Sequence, residues 1–71
     1  MAEAISLVKI RGRSMNIENG GLTPEEITSV IDQLEKKIAE LEERTKIVDT
    51  SKLVSIVAAE IAIELYKLKK S

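Results

Sequence analysis

The sequence predicts a small α+β fold in which an N-terminal β-hairpin is followed by two α-helices. Three observations support this fold class. Two short segments rich in apolar and β-branched residues flank a turn at Gly12, a helix start signal occurs at Thr23-Pro24, and a long apolar segment follows Asp49-Thr50. With 71 residues, the chain is expected to form a single globular domain over residues 1–71.

The hairpin is predicted over about residues 5–18. Its first strand has the sequence ISLVKI, and Met15-Asn16-Ile17 alternates apolar and polar residues before the break at Asn19-Gly20-Gly21. Arg11-Gly12-Arg13-Ser14 lies between the two segments and is expected to form the turn, because Gly12 can adopt the positive φ that a tight turn requires. A two-stranded hairpin is barely stable alone, so we expect it to pack on a helix.

The first helix is predicted over about residues 24–44. Thr23 can cap its N-terminus, Pro24 suits the first helical position, and Glu26 completes a capping box. At about 100° per residue, the apolar side chains form a single stripe. Its members are Ile27, Val30, Ile31, Leu34, Ile38 and Leu41. This helix therefore has one face to bury.

The second helix is predicted over about residues 51–70, with Asp49 or Thr50 as its cap and three lysines near its C-terminus. Helical winding gives it two apolar faces, of which the protein's own first helix and hairpin can cover one. The first face comprises Val54, Val57, Ala58, Ile61, Leu65 and Leu68, and the second comprises Ile56, Ala59, Ile63 and Tyr66. We expect the second face to form the interface of a symmetric homodimer, since monomers rarely expose such a patch.

Composition excludes several classes of function. The 11 basic and 12 acidic residues are well mixed and give a net charge of −1, so no general attraction to nucleic acid or anionic lipid is expected. The chain has no Cys and no His, which leaves no obvious ligands for a structural metal and no sign of an oxidising compartment. Met1 to Lys9 does not have the pattern of a secretion signal. The sequence predicts a cytoplasmic protein without a membrane span.

Catalysis and cofactor binding are not expected. Ser14 and Ser55 have no conventional base, and the only close carboxylate pair in the second helix is Glu60 and Glu64. The sequence predicts that these two glutamates form a solvated strip between two buried faces. Gly20-Gly21 lacks the surrounding pattern of a phosphate-binding loop. No catalytic, cofactor-binding or metal-binding residue is therefore predicted.

Two other functions are also compatible with the sequence, and the first follows from the order of strand, helix and helix. Lys9, Arg11 and Arg13 alternate along the chain, as in a ribbon-helix-helix regulator that presents cations to the DNA major groove. The same cations could instead form a solvated strand edge that discourages aggregation. A generic helical dimerisation module is the other alternative.

Four short blocks of sequence occur in a characteristic order. They are Gly12-Arg13-Ser14, Glu43-Arg44-Thr45, Asp49-Thr50 and Leu53-Val54-x-Ile56-x-Ala58-Ala59-x-Ile61-Ala62-x-Glu64-Leu65. With this spacing, the chain from about Ser6 to Leu65 resembles the ZapA family of bacterial cell-division proteins. The resemblance implies a non-enzymatic protein that binds and bundles filaments of FtsZ, the tubulin-like GTPase of the division ring at midcell.

The resemblance also implies roles for individual residues. Arg13, Arg44 and Lys46 correspond to the head surface implicated in contact with FtsZ, and Ile56 corresponds to a position that supports dimerisation. Many members have an amide where this chain has Glu60. In the family the second helix usually continues into a coiled coil that joins dimers into tetramers. Since the sequence ends at Ser71, the chain resembles the head region with little or no coiled coil.

Overall fold

The computed structural model describes residues 4–70 of the chain. It contains two strands and two helices in this order: β1 (Ile5–Ile10), β2 (Arg13–Glu18), α1 (Pro24–Thr45) and α2 (Thr50–Lys70). The strands pair in an antiparallel two-stranded sheet, so the predicted α+β fold class is confirmed. Within the described range, neither helix is long and apolar enough to cross a membrane.

A two-residue loop closes the hairpin. The strand register pairs Ile10 with Arg13, and both loop residues have positive φ, 53° at Arg11 and 83° at Gly12. Positive φ at both positions is typical of a type I′ turn, whose twist matches that of the flanking strands. Arg13 and Ser14 therefore belong to β2, and the expectation that they form part of the turn was wrong because two residues suffice.

Local side-chain bonds connect the sheet to α1. Asn19 is buried; its Nδ2 donates to Ser6 Oγ at 3.0 Å, and its Oδ1 accepts from the Gly21 backbone N–H at 2.9 Å. The helix then starts with the predicted capping box. The Glu26 N–H donates to Thr23 Oγ1 at 3.2 Å, and the Thr23 N–H donates to Glu26 Oε1 at 2.8 Å. These bonds satisfy backbone donors that the first turn of a helix leaves free.

The chain divides into two compact units, one up to Lys36 and the other from Lys37 onward. In the first unit, Val8 of β1 and Ile27 of α1 are buried. The first part of α1 also bonds to the hairpin turn, because the Arg11 N–H donates to Glu35 Oε2 at 2.9 Å. This unit thus consists of the sheet and the helical turns that cover it.

The second unit consists of the end of α1 and the whole of α2. Its core side chains are apolar, and among the described residues three of them have almost no solvent exposure. The buried residues are Ile38, Leu41, Leu53 and Val57, of which Ile38, Leu53 and Val57 are the fully buried ones. Lys46 ends α1 with a positive φ of 61°, and its N–H donates to Glu42 O at 2.8 Å. Asp49 then caps α2, accepting at Oδ1 from the Lys52 N–H at 3.2 Å.

Candidate functional site

The inner face of α2 is partly apolar and partly acidic. Leu53 and Val57 are buried, and Glu60 and Glu64 follow them on the same face at helical spacing. Glu60 Oε2 lies 3.4 Å from Arg44 Nη2, and Glu64 Oε2 lies 3.5 Å from Lys37 Nζ. The two glutamates thus pair with α1 cations of the same unit. Both carboxylates remain exposed to solvent, as predicted, but the apolar faces beside them are exposed over the second half of the helix and not buried.

The two ion pairs lie at the surface of the second unit. Both are exposed enough to water that each contributes little to stability. No group of three potential metal ligands occurs among residues 4–70. The burial of Leu53 and Val57 fixes which face of α2 packs on α1. The ion pairs lie on that same face, so both apolar flanks of the second half of the helix are open to solvent.

The apolar flanks of α2 are accessible along the whole second half of the helix. Every residue from 61 to 70 is exposed, including the large hydrophobic ones. These are Ile61, Ile63, Leu65, Tyr66 and Leu68. The expected packing of the first flank on the protein's own helix occurs at Val57, with Val54 half-buried, but not at Ile61, Leu65 or Leu68. Leu53, which helical periodicity assigned to neither face, is fully buried.

The four dimer candidates lie along one flank of α2. Ile56, Ala59, Ile63 and Tyr66 are spaced by three, four and three residues, which places them in one row on a helix. Ile56 is half-buried, whereas the other three are exposed. Beyond them, Lys70 Nζ lies 6.0 Å from the centre of the Tyr66 ring, at the limit of a cation–π contact. The row is therefore a continuous accessible surface.

The three cations identified in the sequence as candidate contacts, Arg13, Arg44 and Lys46, lie in different units of the chain. Arg44 and Lys46 lie together at the C-terminal end of α1 in the second unit, and both side chains are largely exposed. Lys46 Nζ lies 3.3 Å from Glu43 Oε1, so each of the two cations has a carboxylate neighbour. Arg13 is the exposed first residue of β2 and belongs to the first unit.

The hairpin cations are not arranged to read a DNA groove. Register pairs Arg13 with Ile10 and Lys9 with Ser14, and neighbouring positions along a strand point to opposite faces of a sheet. Lys9 and Arg13 therefore project from opposite faces, and Arg11 lies in the turn between the strands. A ribbon that enters a groove would present its cations from one face.

Comparison with known proteins gives one match. The model of a protein family described as "Cell division protein ZapA" matches residues 7–71, which is nearly the whole chain. No match was found among curated proteins or among solved structures.

Proposed function

The chain belongs to the ZapA family of cell division proteins, and we propose that it binds FtsZ filaments and cross-links them at the division ring in the cytoplasm. The family is one of non-enzymatic, FtsZ-binding proteins. The match over residues 7–71 is the observation that carries this proposal, because it includes both units of the fold. The accessible cations and the open apolar flank of α2 are the features that such a role requires.

The proposed contact with FtsZ uses Arg13, Arg44 and Lys46. FtsZ proteins are acidic, so exposed cations would both steer the encounter and contribute to the bound state. The carboxylate neighbours of Arg44 and Lys46 do not prevent this role, because exposed ion pairs are weak and can exchange partners at little cost. This contact should weaken as ionic strength rises.

Cross-linking requires a second copy of the contact surface. We place the dimer interface at Ile56, Ala59, Ile63 and Tyr66, where apolar side chains of α2 lie open to solvent. Packing this row against the same row of a second copy would remove it from water and generate a two-fold axis. A two-fold particle carries two FtsZ-binding surfaces and can hold two filaments side by side. Further association of dimers into tetramers is compatible with this geometry.

Co-sedimentation with GTP-assembled FtsZ tests the contact surface. We expect the unaltered chain to pellet with the filaments and Arg13→Glu to lose most of this binding, because the substitution reverses an exposed charge at the hairpin. Lys36→Glu reverses another exposed charge, on α1, and is the matched control that should still pellet. If the unaltered chain stays in the supernatant under conditions in which it is folded and dimeric, the proposed function is wrong. If both variants lose binding equally, the effect is one of net charge and Arg13 is not a specific contact.

A further inference from the structure

The outer edge of β1 offers backbone groups to an additional strand. The Asn19 N–H donates to Ala4 O at 2.8 Å, which makes these residues a hydrogen-bonded pair next to the last pair of the sheet, Ile5 and Glu18. Such pairs alternate along an antiparallel ladder, so the backbone groups of Ile5, Leu7 and Lys9 point away from β2. Within residues 4–70, no backbone bond from outside the hairpin reaches these three residues.

The side chains at this edge are unusually apolar for an exposed strand. Leu7 is 72% exposed and Ile5 is 47% exposed. The strand contains neither a proline nor a bulge, and Lys9 is its one charged residue. At the equivalent positions of the opposite edge, β2 carries Ser14, Asn16 and Glu18. Proteins usually protect sheet edges with charge, proline or bulges, so the edge of β1, in contrast to that of β2, has the character of a pairing surface.

A shallow groove of mixed polarity runs beside this edge. It has a volume of about 220 Å³ and lies between β1 and the first turns of α1, within the first unit. Buried Val8 and Ile27 and half-buried Ile31 contribute its apolar surface, and its polar lining includes Asp32 and Glu35. The volume is below the range of about 300–1,000 Å³ that is typical of small-molecule sites. An open groove next to a free strand edge suits the inward side chains of an added strand.

We propose that β1 of a second copy of this chain occupies the edge, in antiparallel orientation, across a two-fold axis at Leu7. In this register the two Leu7 residues form the central hydrogen-bonded pair, and Ile5 lies opposite Lys9 of the second copy. Every outward backbone group of Ile5, Leu7 and Lys9 then has a partner, and no two like charges face each other. Val8 of the second copy lies opposite Ser6 and adds an apolar side chain on the groove side of the sheet.

The choice of a second copy rests on this self-complementarity. A strand that pairs with itself about its central residue uses both β1 edges after two copies and leaves only the polar edges of β2 exposed. Pairing of β1 with β2 of another copy would instead leave a β1 edge free at one end, so that further copies could add and form a fibre. The interface is separate from the row of Ile56, Ala59, Ile63 and Tyr66 on α2. It extends beyond the proposed function, because it needs no FtsZ. Pairing along Ile5, Leu7 and Lys9 alone buries little surface, so it forms lasting contacts between dimers already joined on α2 and only brief ones between monomers.

Disulfide trapping tests the pairing, since the chain has no cysteine of its own. In the proposed register the two Leu7 Cα atoms would be about 5.5 Å apart, within the range of a disulfide. We expect Leu7→Cys to form a covalent dimer under mild oxidation about tenfold or more faster than Asn16→Cys, because pairing holds the thiols together. Asn16 is the matched control, since it is exposed and lies directly across the hairpin from Leu7. Circular dichroism confirms that both variants are folded.

Two further cysteine variants test the register. Ile5→Cys alone should link slowly, whereas a mixture of Ile5→Cys and Lys9→Cys chains should form the mixed dimer preferentially. Equal rates of covalent dimer formation for Leu7→Cys and Asn16→Cys would overturn the proposal. The edge of β1 would then be a binding surface for a strand of another protein. Preferential linkage between Leu7→Cys and Asn16→Cys chains would also overturn it, because that result indicates head-to-tail pairing of β1 with β2.

Discussion

Two cationic residues adopt backbone conformations that favour glycine. Arg11 has a φ of 53° in the hairpin turn, and Lys46 has a φ of 61° at the end of α1. For a residue with a Cβ atom, the left-handed region costs about 1–2 kcal/mol. Such strain is often retained where a side chain has a function, and Lys46 is one of the proposed FtsZ contacts. At this position, stability and binding should therefore oppose each other.

Replacing Lys46 with glycine should separate the two effects. We expect Lys46→Gly to stabilise the fold by about 0.5–1 kcal/mol, because the relief of left-handed strain exceeds the added flexibility of the unfolded chain. Loss of the ion pair with Glu43 subtracts little, since that pair is exposed. Chemical denaturation at a fixed protein concentration measures the first effect, and co-sedimentation with FtsZ measures the second, which should be a loss of binding. A variant that is more stable and binds FtsZ as well as the unaltered chain would remove Lys46 from the contact surface.

Features of the secondary structure that depend on residues close together in the chain were predictable from the sequence. The capping box at Thr23 and Glu26 and the stripe on α1 lie within a few residues of each other, so the helix start was predicted correctly. The rotation of α2 depends instead on contacts that are distant in the chain. Both flanks of α2 are similarly apolar, and the pairing of Glu60 with Arg44 across 16 residues could not be deduced from periodicity. Periodicity likewise assigned Leu53 to neither flank, although its side chain is fully buried.

Because both apolar flanks of α2 are exposed, a matched pair of variants can test which flank forms the dimer interface. Ile63 and Leu65 lie on opposite flanks and are almost equally exposed, 55% and 53%. We expect Ile63→Lys to give a monomer, because it places a charge in the proposed interface, and Leu65→Lys to remain dimeric. Sedimentation equilibrium measures both masses, and circular dichroism confirms folding. A dimeric Ile63→Lys together with a monomeric Leu65→Lys would show that the other flank forms the interface.

At the scale of the whole molecule, family membership and the exposed surfaces support one account. The first unit presents Arg13, and the second unit presents Arg44 and Lys46 together with the open flank of α2. Neither unit contains a group of potential metal ligands within residues 4–70. If a particle with two-fold symmetry holds FtsZ filaments together, binding to filaments and bundling of filaments should be separable. A monomer retains one contact surface and loses the ability to connect two filaments.

The most direct test of this claim is sedimentation of GTP-assembled FtsZ at two speeds, because low speed pellets bundles only and high speed pellets all filaments. We predict that the unaltered chain moves FtsZ into the low-speed pellet. Ile63→Lys should still pellet with filaments at high speed but should leave the low-speed pellet unchanged. Bundling by a variant shown to be monomeric, or failure of the unaltered dimer to pellet with filaments at either speed, would contradict the account.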